Sequence, residues 1–104
     1  MKLLIITAIA EYETDIKLIL KKSGVKVFSC QGVTGYKDVT NTDIEGNWFA
    51  GEMVATNSIL CYAFVGADSV DEVITNIAAF NDEQDFLSKI HVAEVAIERT
   101  NTIL

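Results

Sequence analysis

The 104-residue sequence has no proline, one histidine, one tryptophan, two cysteines and six glycines. Basic residues are also scarce: eight Lys and Arg stand against fifteen Asp and Glu, a formal charge of −7. Such a chain repels phosphate backbones and anionic lipid, which argues against nucleic acid as a partner and against direct membrane insertion. No apolar run approaches the ~20 residues that span a bilayer. Residues 1–10 briefly imitate a secretory signal, with Lys2, an apolar run and then "AIA". Ten residues fall short of the roughly 15–30 that such a signal needs. The expected compartment is therefore the cytoplasm, with Cys30 and Cys61 as reduced thiols rather than a disulfide. There is no nucleophile elbow, phosphate-binding glycine loop or dinucleotide fingerprint, and Ser29–Cys30 beside Gly32 makes no triad with the lone His91. Binding is expected rather than catalysis, with a small oligomeric enzyme as the alternative.

Half the residues are hydrophobic and 22% are charged. That composition and length predict one compact domain over 1–104, rich enough in apolar residues that some of its surface should meet another subunit. "KLLIITAIA" (2–10) is apolar at both parities, the pattern of a strand covered on both faces. Residues 11–24 change period: Tyr12, Ile16, Ile19 and Leu20 fall on one helical stripe, with Lys17, Lys21 and Lys22 outside it. Acidic residues crowd the first turn and lysines the last, and Gly24 is a natural stop. "VKVFSCQGVTG" (25–35) reads as a second strand, with Gly32 expected at a bulge or close backbone approach. A polar, acidic stretch follows at 36–57, then a third strand at 58–67. Ser69 with Glu72 predicts a capping box, and Val70, Val73, Ile74 and Ile77 the core stripe of a second helix. Residues 81–88 connect to a fourth strand at 89–98.

The order βαββαβ predicts an α+β, ferredoxin-like fold: a four-stranded antiparallel sheet with two helices on one face. Two helices cover only one face, yet the first and third strands are apolar on both. The second face is expected to be buried by copies of the same chain.

On this order and spacing the sequence resembles the PII-like signalling superfamily. The resemblance is carried by "MKLLIITAI" at the opening strand, "GVTGYK" (32–37) before the long loop, "SVDEVITNI" (69–77) in the second helix, and "KIHV" (89–92) with "ERT" (98–100) around the last strand. It implies a trimer with sheets packed inward, a T-loop-like insertion at 37–57, and a small effector bound between subunits. It also implies a protein partner, a transporter or metabolic enzyme, engaged by the loop. Trp48 and Phe49 would be its docking anchors, or a local lid against the subunit. An anion cleft would draw on Gly35, Tyr36, Lys37, Lys89 and Arg99. Where nucleotide-binding relatives have a glycine-rich basic loop, this chain has "NDEQDFLS", with three carboxylates and no glycine. That disfavours ATP and leaves room for a smaller anion or one phosphate. The loop has no tyrosine near its tip, Tyr36 being at its base, so the tyrosine modification of some relatives is not expected.

A metal-responsive trimer of the CutA type is the alternative, using Cys30, Cys61 and His91 if they converge, or Asp43, Glu45 and Glu52 as a hard-cation set. A structural oligomer without ligand is the third reading.

Overall fold

A computed structural model describes residues 1–38, 53–85 and 87–101. The chain runs β1 (Lys2–Ile9), a 3₁₀ turn (Ala10–Tyr12), α1 (Glu13–Lys22), β2 (Ser29–Asp38), β3 (Met53–Val65), α2 (Ala67–Glu83) and β4 (His91–Ala96). The strands form one antiparallel sheet in the order β2-β3-β1-β4. This is the ferredoxin-like arrangement expected from the sequence. The most apolar strands, β1 and β3, lie in the middle, as strands covered on two faces must.

Alternation along the central strands decides what each face does. Leu4, Ile6 and Ala8 of β1 and Ile59, Cys61, Ala63 and Val65 of β3 are buried under the helices. They meet Ile16, Ile19 and Leu20 of α1 and Val70, Val73 and Ile77 of α2 in one core. Ile74, expected in the stripe, is 39% exposed. The sheet meets α2 along the 70–73–77 line, which turns Ile74 to its flank. Tyr12 seals one end of the core: its ring stands edge-on to Phe80 at 5.1 Å, and its hydroxyl donates to the Ser88 carbonyl at 3.3 Å.

Helix α1 ends as its sequence predicts. Gly24 takes φ +83°, and the Val25 N–H reaches the Leu20 carbonyl at 2.9 Å while the Gly24 N–H reaches Lys21 at 3.1 Å. That is the two-bond Schellman closure, which needs a left-handed residue. The start of α2 departs from expectation. The helix begins at Ala67 behind Gly66, so Ser69 lies inside the first turn, and its own N–H donates to the Gly66 carbonyl at 3.1 Å. With Ser69 at the third helical position, no Ser69–Glu72 capping box forms.

Strand boundaries move too. β2 begins at Ser29 rather than Val25, and β4 covers 91–96 rather than 89–98. β2 and β3 each extend into the stretch read as loop. Gly32 is no bulge: the β2–β3 register runs unbroken from Ser29↔Tyr62 to Asp38↔Met53. A Cβ added at Gly32 would meet nothing within 4 Å, whereas one at Gly35 would lie 2.7 Å from Ser58 Oγ. The close approach belongs to Gly35.

Candidate functional site

β3 is thirteen residues long and outlasts its partner β1, whose pairing stops at Ile9↔Ser58. Beyond that point β2 and β3 continue alone, Thr34–Asp38 against Met53–Asn57. Five residue pairs at ~3.3 Å each carry this ribbon roughly 16 Å past the body of the sheet. Three of the expected effector residues, Gly35, Tyr36 and Lys37, lie on it. Tyr36 is 67% exposed, and across the ribbon Met53 and Val54 are also exposed. Trp48 and Phe49, and the carboxylates Asp43, Glu45 and Glu52, lie outside the described residues.

Lys89 and Arg99 flank β4, at the opposite edge of the sheet. β4 lies between them, about 17 Å from His91 to Ala96 at strand rise. Three inter-strand spacings, about 14 Å, separate β4 from β2. A single chain therefore does not gather Gly35–Lys37, Lys89 and Arg99 into one cleft. Arg99 is exposed. Lys89 is half-buried, and its ammonium donates to the carbonyls of Asn81 at 2.7 Å and Gln84 at 3.1 Å. It closes the C-terminal end of α2, where the helix dipole favours a cation.

Asn81, which the sequence reading did not single out, completes this closure. Its side chain accepts from the Ile90 N–H and donates to the Ile90 carbonyl, both at 2.9 Å. One amide thus satisfies both backbone groups of a buried residue just before β4. The only sequence signal was an asparagine in the last turn of a helix, which local patterns cannot connect to a residue nine positions later. A second polar link joins the helices: Asn76 Nδ2 donates to the buried Ser23 Oγ at 2.9 Å, which donates to the Ile19 carbonyl at 2.7 Å.

The metal set does not converge. Cys30 and Cys61 are directly opposite each other in the β2–β3 register, with Cα atoms 4.0 Å apart, and their sulfurs are joined in a disulfide. This corrects the expectation of reduced thiols. Thirty-one residues separate them in sequence, and only the hairpin register brings them together. His91 pairs with Thr7, on the sheet face opposite Cys61 and next to a different edge. Among the described residues no three His, Cys, Asp or Glu side chains are grouped to hold a metal.

The face of the sheet away from the helices is apolar. The register aligns Leu3 and Ile5 of β1, Leu60, Tyr62 and Phe64 of β3, and Ala93 and Val95 of β4. Phe64 is 45% exposed and Tyr62 43%, and their rings stand edge to face with centroids 6.5 Å apart. A contiguous apolar surface of this kind marks an interaction face. Among the described residues no helix is long and apolar enough to cross a membrane.

No protein-family model matches the sequence, and no curated protein matches it. Solved structures do match in shape. GlnK of B. subtilis in complex with ATP superposes with a TM-score of 0.66 at 18% identity, over 90% of this chain and 80% of GlnK. The periplasmic divalent cation tolerance protein CutA of Archaeoglobus fulgidus gives 0.63 at 17% identity, over 96% and 87% of the two chains. CPII, a nitrogen regulatory PII-like protein from Thiomonas intermedia K12 bound to ADP, AMP and bicarbonate, gives 0.60 at 16%, over 95% and 93%. The likeness read in the sequence therefore holds at the level of the fold, which this chain shares with PII-type and CutA proteins.

Proposed function

We propose that this protein is a PII-like regulator that acts by binding rather than catalysis. It assembles as a trimer through the open face of its sheet, binds a small anionic effector between subunits, and engages a protein partner through residues 37–57. The observation that carries this reading is the β2–β3 ribbon, Thr34–Asp38 against Met53–Asn57, which runs past the end of β1 while the same sheet leaves an apolar face bare. Burying a side chain the size of Phe64 or Tyr62 stabilises by ~1.5–3 kcal/mol when complete, so leaving both half in water favours assembly. The dispersal of Lys37, Lys89 and Arg99 over one chain supports a site completed only where copies meet.

The effector we favour has at most one phosphate, such as AMP, or none, such as bicarbonate. Asp82 and Glu83 at the end of α2 and Asp85 just beyond it crowd the approach to β4, with no glycine to offer backbone amides. Lys89 is already engaged with helix carbonyls. ATP would meet more repulsion than attraction there.

Light scattering of the purified protein should give three times the 11.4 kDa chain mass. A thermal-shift series with ATP, ADP, AMP, bicarbonate, zinc and copper then tests the effector. Ligand at 100 times its dissociation constant stabilises by ~2.7 kcal/mol, a shift of several degrees. A shift with AMP or bicarbonate and none with ATP supports the proposal. A monomer, or a shift with ATP alone, would sink it. The CutA-type metal reading keeps its fold likeness but loses its thiol ligands while Cys30 and Cys61 are bonded to each other. Cytoplasmic placement stays part of the proposal, and the disulfide is what tests it, since such bonds persist mainly in oxidising compartments. Alkylating free thiols in intact cells before extraction should label both cysteines if the protein is cytoplasmic.

A further inference from the structure

Charge is divided unequally along this chain. Between Asp15 and Asp38 there is no acidic residue, and residues 16–37 carry Lys17, Lys21, Lys22, Lys26 and Lys37, a charge of +5. The remainder holds three basic residues against fifteen acidic ones, −12, which sums with +5 to the net −7. The fold gathers part of the basic segment around one groove. The Gly24 turn sets residues 25–28 beside the end of α1, and between them lies a groove of about 590 Å³ lined by Lys17, Leu18, Lys21, Val25, Lys26 and Phe28. An adjoining depression shares Val25 and Lys26 and adds Val27 and Phe64.

The floor is apolar and partly bare. Leu18, in the groove, is 60% exposed, and Val27, 77% exposed, lies in the adjoining depression beside Phe64. The rim is cationic. Lys17 is held by Glu13 at 2.7 Å, whereas Lys21 and Lys26 have no carboxylate partner among the described residues. Two uncompensated ammonium groups therefore stand over exposed aliphatic surface.

We propose that this groove docks an extended acidic segment of a protein partner, one in which apolar side chains alternate with carboxylates. The carboxylates pair with Lys21 and Lys26 while the apolar side chains cover Leu18 and Phe28. The −12 carried by the rest of the chain repels such a segment elsewhere, so the field steers it to this flank. The groove leads into β2, an edge strand, along which an extended segment can continue by strand addition. A long polyanion fits less well, because beyond the groove it meets the acidic remainder. A small anion would leave Leu18 and Val27 uncovered. None of the groove residues belongs to the effector set, so this inference stands apart from the effector reading.

The test uses the whole protein and a fluorescein-labelled twelve-residue peptide of alternating glutamate and leucine. Controls are the same peptide with serine for leucine, and anionic phosphatidylserine vesicles in a sedimentation assay. The leucine peptide should bind, and the Lys21→Glu/Lys26→Glu double variant should weaken it about tenfold. Leu18→Ser should weaken it by a smaller factor, and all variants should remain folded with only a small drop in melting temperature, since the altered side chains are exposed but Lys21→Glu reverses a favourable charge in the last turn of α1 and Leu18→Ser lowers its helix propensity. Equal binding of the serine peptide would reduce the groove to bare charge and overturn the proposal. So would preference for vesicles, indifference to both variants, or no binding of the leucine peptide at about 100 µM protein.

Discussion

Each edge strand of the sheet is delivered by a helix, α1 into β2 and α2 into β4, and the two deliveries are built on different physics. The first closes its helix within its own turn: the left-handed Gly24 lets the Gly24 and Val25 N–H groups reach the Lys21 and Leu20 carbonyls, and the adjacent Ser23 hydroxyl caps Ile19. β2 is then tied covalently to β3 through Cys30 and Cys61. The second is closed by side chains that bridge nine or fewer residues, Lys89 reaching back onto the Asn81 and Gln84 carbonyls and Asn81 reaching forward onto both backbone groups of Ile90. β4 has no covalent tie. One half is basic and the other acidic. The halves are therefore not interchangeable: the first answers to redox conditions, the second to the loss of single polar groups. The lysine that an anion would want in the second half is already at work in the fold.

Four changes would break or sharpen this contrast. Reducing the disulfide should have the largest effect. Cross-linking residues 31 apart restricts the unfolded chain by an amount worth about 3–4 kcal/mol. Denaturant unfolding with and without dithiothreitol should show that loss, and coincident curves would mean that β2 does not depend on the bond. Asn81→Ala should come next, at about 2–3 kcal/mol, because it strands a donor and an acceptor of Ile90 at once. A loss below about 0.5 kcal/mol would show that water replaces the amide, making the second edge less dependent on side chains than argued. Gly24→Ala should cost about 1–2 kcal/mol by forcing a Cβ into the left-handed region, with Gly24→Asn milder. Lys89→Met should cost least, about 0.5–1 kcal/mol, and the difference should shrink in 1 M salt. If it leaves stability alone and instead removes a response to AMP or bicarbonate, Lys89 serves the effector rather than the helix.

The same contrast explains what was legible in the sequence. Element order, the two central strands and the Gly24 closure could be read directly, because hydrophobic period and left-handed glycine are local signals. The open apolar face followed from β1 and β3 being apolar at both parities. The cysteine bond was misread, because opposition across a hairpin depends on register and nothing near Cys30 announces Cys61. The sequence offers Lys89 to an anion cleft because the carbonyls it caps are not side chains and leave no trace in a residue pattern. The ribbon was read as loop from position 36, since Tyr36–Asp38 and Met53–Asn57 alternate weakly and become strand only by pairing with each other. Of the expected effector set, the sequence could not show that Gly35, Tyr36 and Lys37 lie apart from Lys89 and Arg99, because that separation is a property of sheet order.

That order also bears on how the chain is made. β1 leaves the ribosome first yet ends in the middle of the sheet, flanked by β3 and by β4, whose last residue is Ala96. Until residue 65 has emerged, one edge of β1 stands open, and until residue 96 has emerged, so does the other. Until β4 is made, the nascent chain therefore carries an unpaired, isoleucine-rich strand edge, the kind that templates aggregation. Pairing residue 2 with residue 96 is also the most distant contact of the sheet, and distant contacts form slowly. A ribosome stalled before β4 would release a species prone to join its neighbours by the wrong strand, and its load on chaperones should rise steeply with any truncation upstream of His91.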